Sequence, residues 1–180
     1  ATTEIYTLSL HDALPICNPG TYNAYTYGGF WCGALTLVCD LLKGFLPVFL
    51  YIRVSGGTPL GLVLVMSAPA LGHIFPIWHK FDGGKGIAVS FGVLLGLAPN
   101  MLPVLTLALT YLLFSLVFKV NPHFYRLILT YSTAFGIILL TSRSIPVTLG
   151  CAAVFVIVLL KIISVRDTYD KMTVRAAWKR

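Results

Sequence analysis

Residues 72–90, GHIFPIWHKFDGGKGIAVS, place two histidines, a Phe-Pro corner, two lysines and a Gly-Gly-Lys-Gly turn between two apolar runs. Glycine-rich turns that open helices hold phosphate, because backbone N–H groups free of side chains can close on the anion and the helix dipole favours negative charge there. The candidate donors are the amides of Gly83, Gly84 and Gly86, the Lys85 ammonium and the Ser90 hydroxyl. A second patch, Asp40-Leu41-Leu42-Lys43-Gly44, sets a carboxylate and an ammonium three residues apart. Residues at that spacing share a helical face and can pair, and an ionisable pair inside an apolar helix is costly enough to point to function. A third patch, Asn18-Pro19-Gly20-Thr21-Tyr22-Asn23, is a polar turn just ahead of the first apolar run. All three suit phosphorylated substrates handled at a lipid surface. Asp40 and His73 are candidate bases, although orienting Lys43 or the glycine loop is the stronger expectation for both.

The elements that must position these groups are membrane helices. Hydrophobic residues make up 57% of the 180-residue chain and charged residues 11%, with a mean hydropathy of +0.86. A soluble domain carries about a quarter charged residues, so this chain cannot cover its surface in water. Apolar runs fall at 31–51 and 60–78, each about the 20 residues a crossing needs. The run at 86–97 is short for a crossing and reads as half-length or re-entrant. Runs at 102–118, 124–140 and 145–163 follow, broken at Asn100, at Asn121-Pro122 and at Ser144-Ile145-Pro146. The expected fold is an all-α polytopic bundle of about six membrane segments in one domain.

Charge orients the bundle. Of the 13 Lys and Arg, only Arg53 and Arg143 fall on one side; Lys80, Lys85, Lys119, Arg126 and the run of basic residues from Lys161 onward fall on the other, with Lys43 near it. The positive-inside rule assigns the rich side, and the glycine turn with it, to the cytoplasm. The net charge of +7 then reads as a topology signal and an attraction to anionic lipid or phosphate, and no nucleic-acid partner is expected. Cys17, Cys32, Cys39 and Cys151 have no paired metal-ligand spacing and read as small apolar packing residues; neither metal nor cofactor is expected. Residues 1–17 lack the layout of a signal peptide or a spanning helix and are expected to be a non-native segment standing where a first helix belongs. Residues 18–166 then form the membrane domain and 167–180 a basic tail.

These motifs resemble those of a known family. Leu37, Asp40, Lys43 and Gly44 match an LxxDxxKG pattern, and Gly72, His73, Phe75, Pro76, Phe81, Gly83, Gly84, Lys85 and Gly86 match GHxFPxxxxFxGGKG. The turn from Asn18 to Asn23 resembles the end of an SGNxGxxN motif. The family is the bacterial acyl-phosphate:glycerol-3-phosphate acyltransferases, and the resemblance runs from about Asn18 to Arg166. It implies a seven-helix enzyme of the bacterial inner membrane with its active site facing the cytoplasm. The substrates would be an acyl phosphate and glycerol 3-phosphate, in contact with membrane lipid. One phosphate pocket would use the Gly83–Gly86 turn and Ser90; the other would use Asn18, Gly20, Thr21, Asn23, Lys43 and Arg126. The motif's leading Ser-Gly is replaced by Ile16-Cys17, and the family's HRxN tail reads Val165-Arg166-Asp167-Thr168 here.

Two other classes compete with this reading. A transporter of phosphorylated solutes predicts an internal repeat or paired broken helices, and the sequence displays neither. A non-catalytic lipid- or phosphate-binding protein accounts for the bundle and the basic tail but leaves the spaced polar motifs unexplained. The other large class of glycerol-phosphate acyltransferases places Asp five residues after a His, and none of His11, His73, His79 or His123 has it.

Overall fold

A computed structural model describes residues 20–55, 58–77, 81, 83–121, 123–164 and 173–174. Six helices follow in order. They are α1 (Thr21–Val54), α2 (Pro59–Ile74), α3 (Ile87–Leu95), α4 (Leu102–Leu112), α5 (His123–Thr141) and α6 (Ile145–Ser164). Three of them, α1, α5 and α6, are each long and apolar enough to cross a membrane, while α2 and α4 (with its π-helical extension to Val117) are shorter apolar helices. The chain is an integral membrane helical protein, and large apolar side chains such as Trp31, Leu64, Leu109, Leu140 and Ile163 are exposed around it.

Local chemistry sets the helix ends. Thr58 caps α2, its hydroxyl accepting the Gly61 N–H at 3.2 Å, with Pro59 at the first helical position where no amide partner is needed. The Tyr51 hydroxyl lies 3.1 Å from the same Thr58 oxygen and clips the α1–α2 hairpin. The 60–78 run was expected to stay helical to Trp78, but α2 stops at Ile74. The residue before a proline is pushed out of the α region, and Phe75, ahead of Pro76, sits at φ −121°, ψ 61°. The short segment behaves as expected: α3 has nine residues and ends in consecutive turns through Asn100. In α1, Gly29 interrupts the helix at φ 78°, a value that favours glycine. The break folds the leading turns back so that Tyr25 packs against Gly33.

Packing is closest where α1 crosses α3. A Cβ on Gly44 would strike the Val89 carbonyl oxygen, one on Gly92 the Leu41 carbonyl oxygen, and one on Gly96 would lie 2.8 Å from the Phe45 carbonyl. Glycines lining both helices let backbones touch, which replaces the hydrophobic drive that lipid cannot supply. α2 packs along α6, and α5 along α4 and α6. The common core holds Val48, Met66, Ile74, Val93, Leu107, Leu127, Tyr131 and Val154. The fold is the all-α bundle expected, with one short addition: Val120–Asn121 pairs antiparallel with Thr173–Val174. Part of the 167–180 tail therefore returns to the α4–α5 connection.

Gly44→Val should lower stability by about 1–3 kcal/mol through overpacking, whereas Gly136→Ala, whose new methyl meets nothing within 4 Å, should not. Thermal unfolding of both in one detergent checks this, and equal midpoints would rule out the tight crossing.

Candidate active site

Asp40 is the hub of the polar cluster. It lies on the buried face of α1, 4% exposed, because the Gly44 crossing presses that face against α3. One of its carboxylate oxygens, Oδ1, accepts from Lys43 Nζ at 3.3 Å and lies 3.5 Å from His73 Nδ1 of α2. The predicted Asp40–Lys43 pair is therefore formed, and His73 joins it. The Lys43 side chain is 63% exposed and that of His73 only 12%. Lys43 thus reaches outward from a buried anchor, while His73 is held between helices.

The same turn of α2 carries the glycine loop. Gly83 donates its N–H to the Ile74 carbonyl at 3.1 Å, and Phe81 donates to the Pro76 carbonyl at 3.1 Å. A Cβ on Gly83 would run into the His73 carbonyl oxygen, so glycine is needed for that approach. Gly86 caps α3 at φ 76°, and a Cβ there would meet Ile74 and Val158 of α6. The loop is therefore seated on the end of α2 and the side of α6. Gly83, Gly84 and Gly86 are buried, and Lys85 is half-buried.

Two expected phosphate donors are otherwise engaged. The Gly83 amide is bound to Ile74, which leaves the amides of Gly84, Lys85 and Gly86 without a backbone acceptor among the described residues. Ser90 is fully buried, donating to the Ile87 carbonyl at 2.7 Å and lying 2.6 Å from the Tyr131 hydroxyl. One turn into α3, it faces the bundle and not the loop. Arg126 stands on the first turn of α5, half-buried, and its Nε is buried without an acceptor among the described residues. His123, one turn before it, lies in the electrostatic field of both Arg126 and Lys85.

The third patch is only partly visible. Gly20 is extended (φ −150°, ψ 161°) and its carbonyl accepts the Ala24 N–H at 3.0 Å. Thr21 and Asn23 are half-buried on the first turn of α1, ahead of the break at Gly29. Asn18 lies outside the described residues, as do Ile16, Cys17 and the Val165–Thr168 stretch.

Sequence reasoning passed over His123 and Lys161. Lys161 is 6% exposed within α6, one turn beyond Val158, and it had counted only as a tail charge. An ionisable residue flanked by Leu159, Leu160, Ile162 and Ile163 was the available signal. For His123 there was none, since its proximity to Lys85 arises only when α5 meets the loop.

The Asp40 cluster makes an asymmetric prediction. Lys43→Ala leaves a buried carboxylate facing only His73 and should cost about 1–3 kcal/mol, the penalty for a stranded buried polar group. Asp40→Asn leaves an outward Lys43 that can keep its head in water and should cost less. The double variant should recover part of the Lys43→Ala loss. Thermal unfolding midpoints decide it, and the reverse order would mean that Asp40 is not a buried charge.

The chain matches the family described as glycerol-3-phosphate acyltransferase over residues 15–173. A glycerol-3-phosphate acyltransferase of Burkholderia pseudomallei (strain K96243) is 34% identical over 142 residues, covering 79% of this chain and 69% of the relative. One from Shewanella halifaxensis (strain HAW-EB4) is 47% identical over 77 residues, covering 43% of this chain and 38% of the relative. The fold is similar to two crystal structures of PlsY (YgiH), an integral membrane glycerol 3-phosphate acyltransferase. To the lysophosphatidic acid form the TM-score is 0.66 at 24% identity, covering 80% of this chain and 71% of that one. To the glycerol 3-phosphate form it is 0.67 at 23% identity, covering 82% and 72%. Motifs, fold and a match across most of its length agree: the chain belongs to the glycerol-3-phosphate acyltransferase family.

Proposed function

We propose that the chain transfers a fatty acyl group from an acyl phosphate to the 1-hydroxyl of glycerol 3-phosphate, giving 1-acyl-glycerol 3-phosphate and inorganic phosphate. The observation that carries this reading is the juxtaposition of three amides, those of Gly84, Lys85 and Gly86, that lack a backbone acceptor among the described residues with the Lys85 ammonium at the start of a buried helix. That is an anion cradle in a fold similar to a protein crystallised with glycerol 3-phosphate and lysophosphatidic acid forms.

The chemistry asks little covalent work of the protein. The acceptor hydroxyl oxygen attacks the acyl carbonyl carbon, the bond from that carbon to the phosphate oxygen breaks, and the departing phosphate takes the hydroxyl proton. No covalent enzyme intermediate is needed, because a mixed anhydride is already activated. Holding the two reactants in register can supply effective molarities up to about 10⁵ M or more. In this reading Lys85 and the Gly84 and Gly86 amides bind the donor phosphate and stabilise charge as it develops. Lys43 and Arg126, with Gly20, Thr21, Asn23 and Asn18, bind the acceptor phosphate. Asp40 and His73 serve catalysis by holding Lys43 and the loop in place, and the acyl chain enters between helices from the lipid. The basic residues grouped with the loop support a cytoplasmic site in a bacterial inner membrane.

Purified protein in lipid, given palmitoyl phosphate and glycerol 3-phosphate, should release phosphate and form lysophosphatidic acid. Lys85→Ala should lower turnover by about 10²–10³-fold, the scale for losing one preorganised charge-stabilising donor, while the protein stays folded. Full activity in that variant would remove Lys85 from the reaction. Silence from folded, unmodified protein would favour a binding or transport role.

A further inference from the structure

The hydroxyls of Ser90 on α3 and Tyr131 on α5 lie 2.6 Å apart, and the two residues are 0% and 1% exposed. Ser90 has one proton, and it goes to the Ile87 carbonyl at 2.7 Å. Tyr131 must therefore donate the shared bond. The Tyr131 ring is itself held edge-on by Phe155 of α6 at 5.0 Å, and Phe155 in turn meets Phe135 at 6.3 Å. On the other side, the Ser90 N–H closes on the Gly86 carbonyl at 2.9 Å. A short run of contacts thus leads from the middle of the bundle to the loop: Phe155, Tyr131, Ser90, Gly86, Lys85.

We propose that Tyr131 is a positioning residue for acyl transfer. Its hydroxyl, through Ser90, fixes the first turn of α3 and with it the Gly84–Gly86 amides and Lys85. This rests on the reaction proposed above. α3 has nine residues, too few to hold its shape without tertiary support, and its cap Gly86 is in a left-handed conformation on a glycine-rich loop. The glycine crossing with α1 fixes how close α3 comes but offers no directional bond to set its rotation. The Tyr131–Ser90 bond does set it, in an apolar interior where a hydrogen bond is stronger than in water. Ser90 accordingly acts from inside the bundle and does not touch phosphate.

The test compares the unmodified chain, Tyr131→Phe, Ser90→Ala and the double variant, all purified in lipid. Each is followed by turnover of palmitoyl phosphate with glycerol 3-phosphate and by amide hydrogen exchange without substrate. Phenylalanine keeps the ring against Phe155 and removes only the proton donor. Each single variant should lower kcat by about tenfold, the scale of one lost hydrogen bond, with little change in KM for glycerol 3-phosphate. Exchange at Ser90 and the α3 amides that follow it, the ones that are hydrogen-bonded, should rise by a similar factor while α2 and α6 keep their protection, and the double variant should be no worse than either single one. Unmoved kcat and exchange would overturn the proposal; so would additive losses, or faster exchange throughout the bundle. If the unmodified chain shows no turnover, the reaction reading fails, and the exchange pattern alone still decides whether Tyr131 holds the loop.

Discussion

The backbone-to-backbone crossing of α1 and α3 governs where everything else can stand. Gly44 lies against the Val89 carbonyl and Gly92 against that of Leu41, so neither helix can take a side chain at the contact. This approach brings the turn that bears Asp40 and Lys43 beside the helix that begins with the glycine loop. A side chain at either glycine would push α3 outward and separate the two cation-bearing segments. In lipid, where burying apolar surface between helices gains little, such close contact is a main source of packing energy. The glycine of the LxxDxxKG pattern therefore has a spatial purpose, while the Asp and Lys beside it have an electrostatic one.

Asp40 converts that packing into charge placement. A carboxylate 4% exposed is tolerable only with partners, and it has one on its own helix and one on the next. The partner on α2, His73, presents its ring to Asp40 and its carbonyl to Gly83. A single helical turn thus couples the anionic hub to the loop. The arrangement holds Lys43 beside a deeply buried anion, and the loop that bears Lys85 is seated on the turn of α2 that carries His73. Arg126 adds a further cation from the first turn of α5.

Much of this was legible from residues alone. The six apolar segments, the short third one and the Asp40–Lys43 pair follow from hydropathy, breaker residues and helical spacing, which are local properties. What escaped depends on contacts between distant segments. Ser90 looked like a loop hydroxyl because it lies four residues after Gly86, yet its direction is set by Tyr131, 41 residues away. Gly83 looked like a phosphate donor until the Ile74 carbonyl took its amide. His123 carries no local signal of its own, and the return of Thr173–Val174 to Val120–Asn121 leaves no trace in a basic tail. The early end of α2 was locally encoded after all, in Pro76.

A half-length third helix has a physical logic for a site of this kind. At a rise of about 1.5 Å per residue, nine residues reach only about half of a hydrocarbon layer some 30 Å thick. The start of α3 is therefore set among other helices, against Ile74 of α2 and Val158 of α6, rather than left at the end of a full span. On the proposed reaction, its dipole and open amides would meet the donor phosphate among these helices, where charges attract more strongly than in bulk water. The cost is a helix with few residues of its own to stabilise it. The glycine crossing, the Gly83–Ile74 bond and the Ser90–Tyr131 bond supply the support, each from a different neighbouring helix. A longer α3 would need less bracing but would carry its N-terminus away from Asp40, Lys43 and His73, the groups with which it shares the substrates in the proposed reaction.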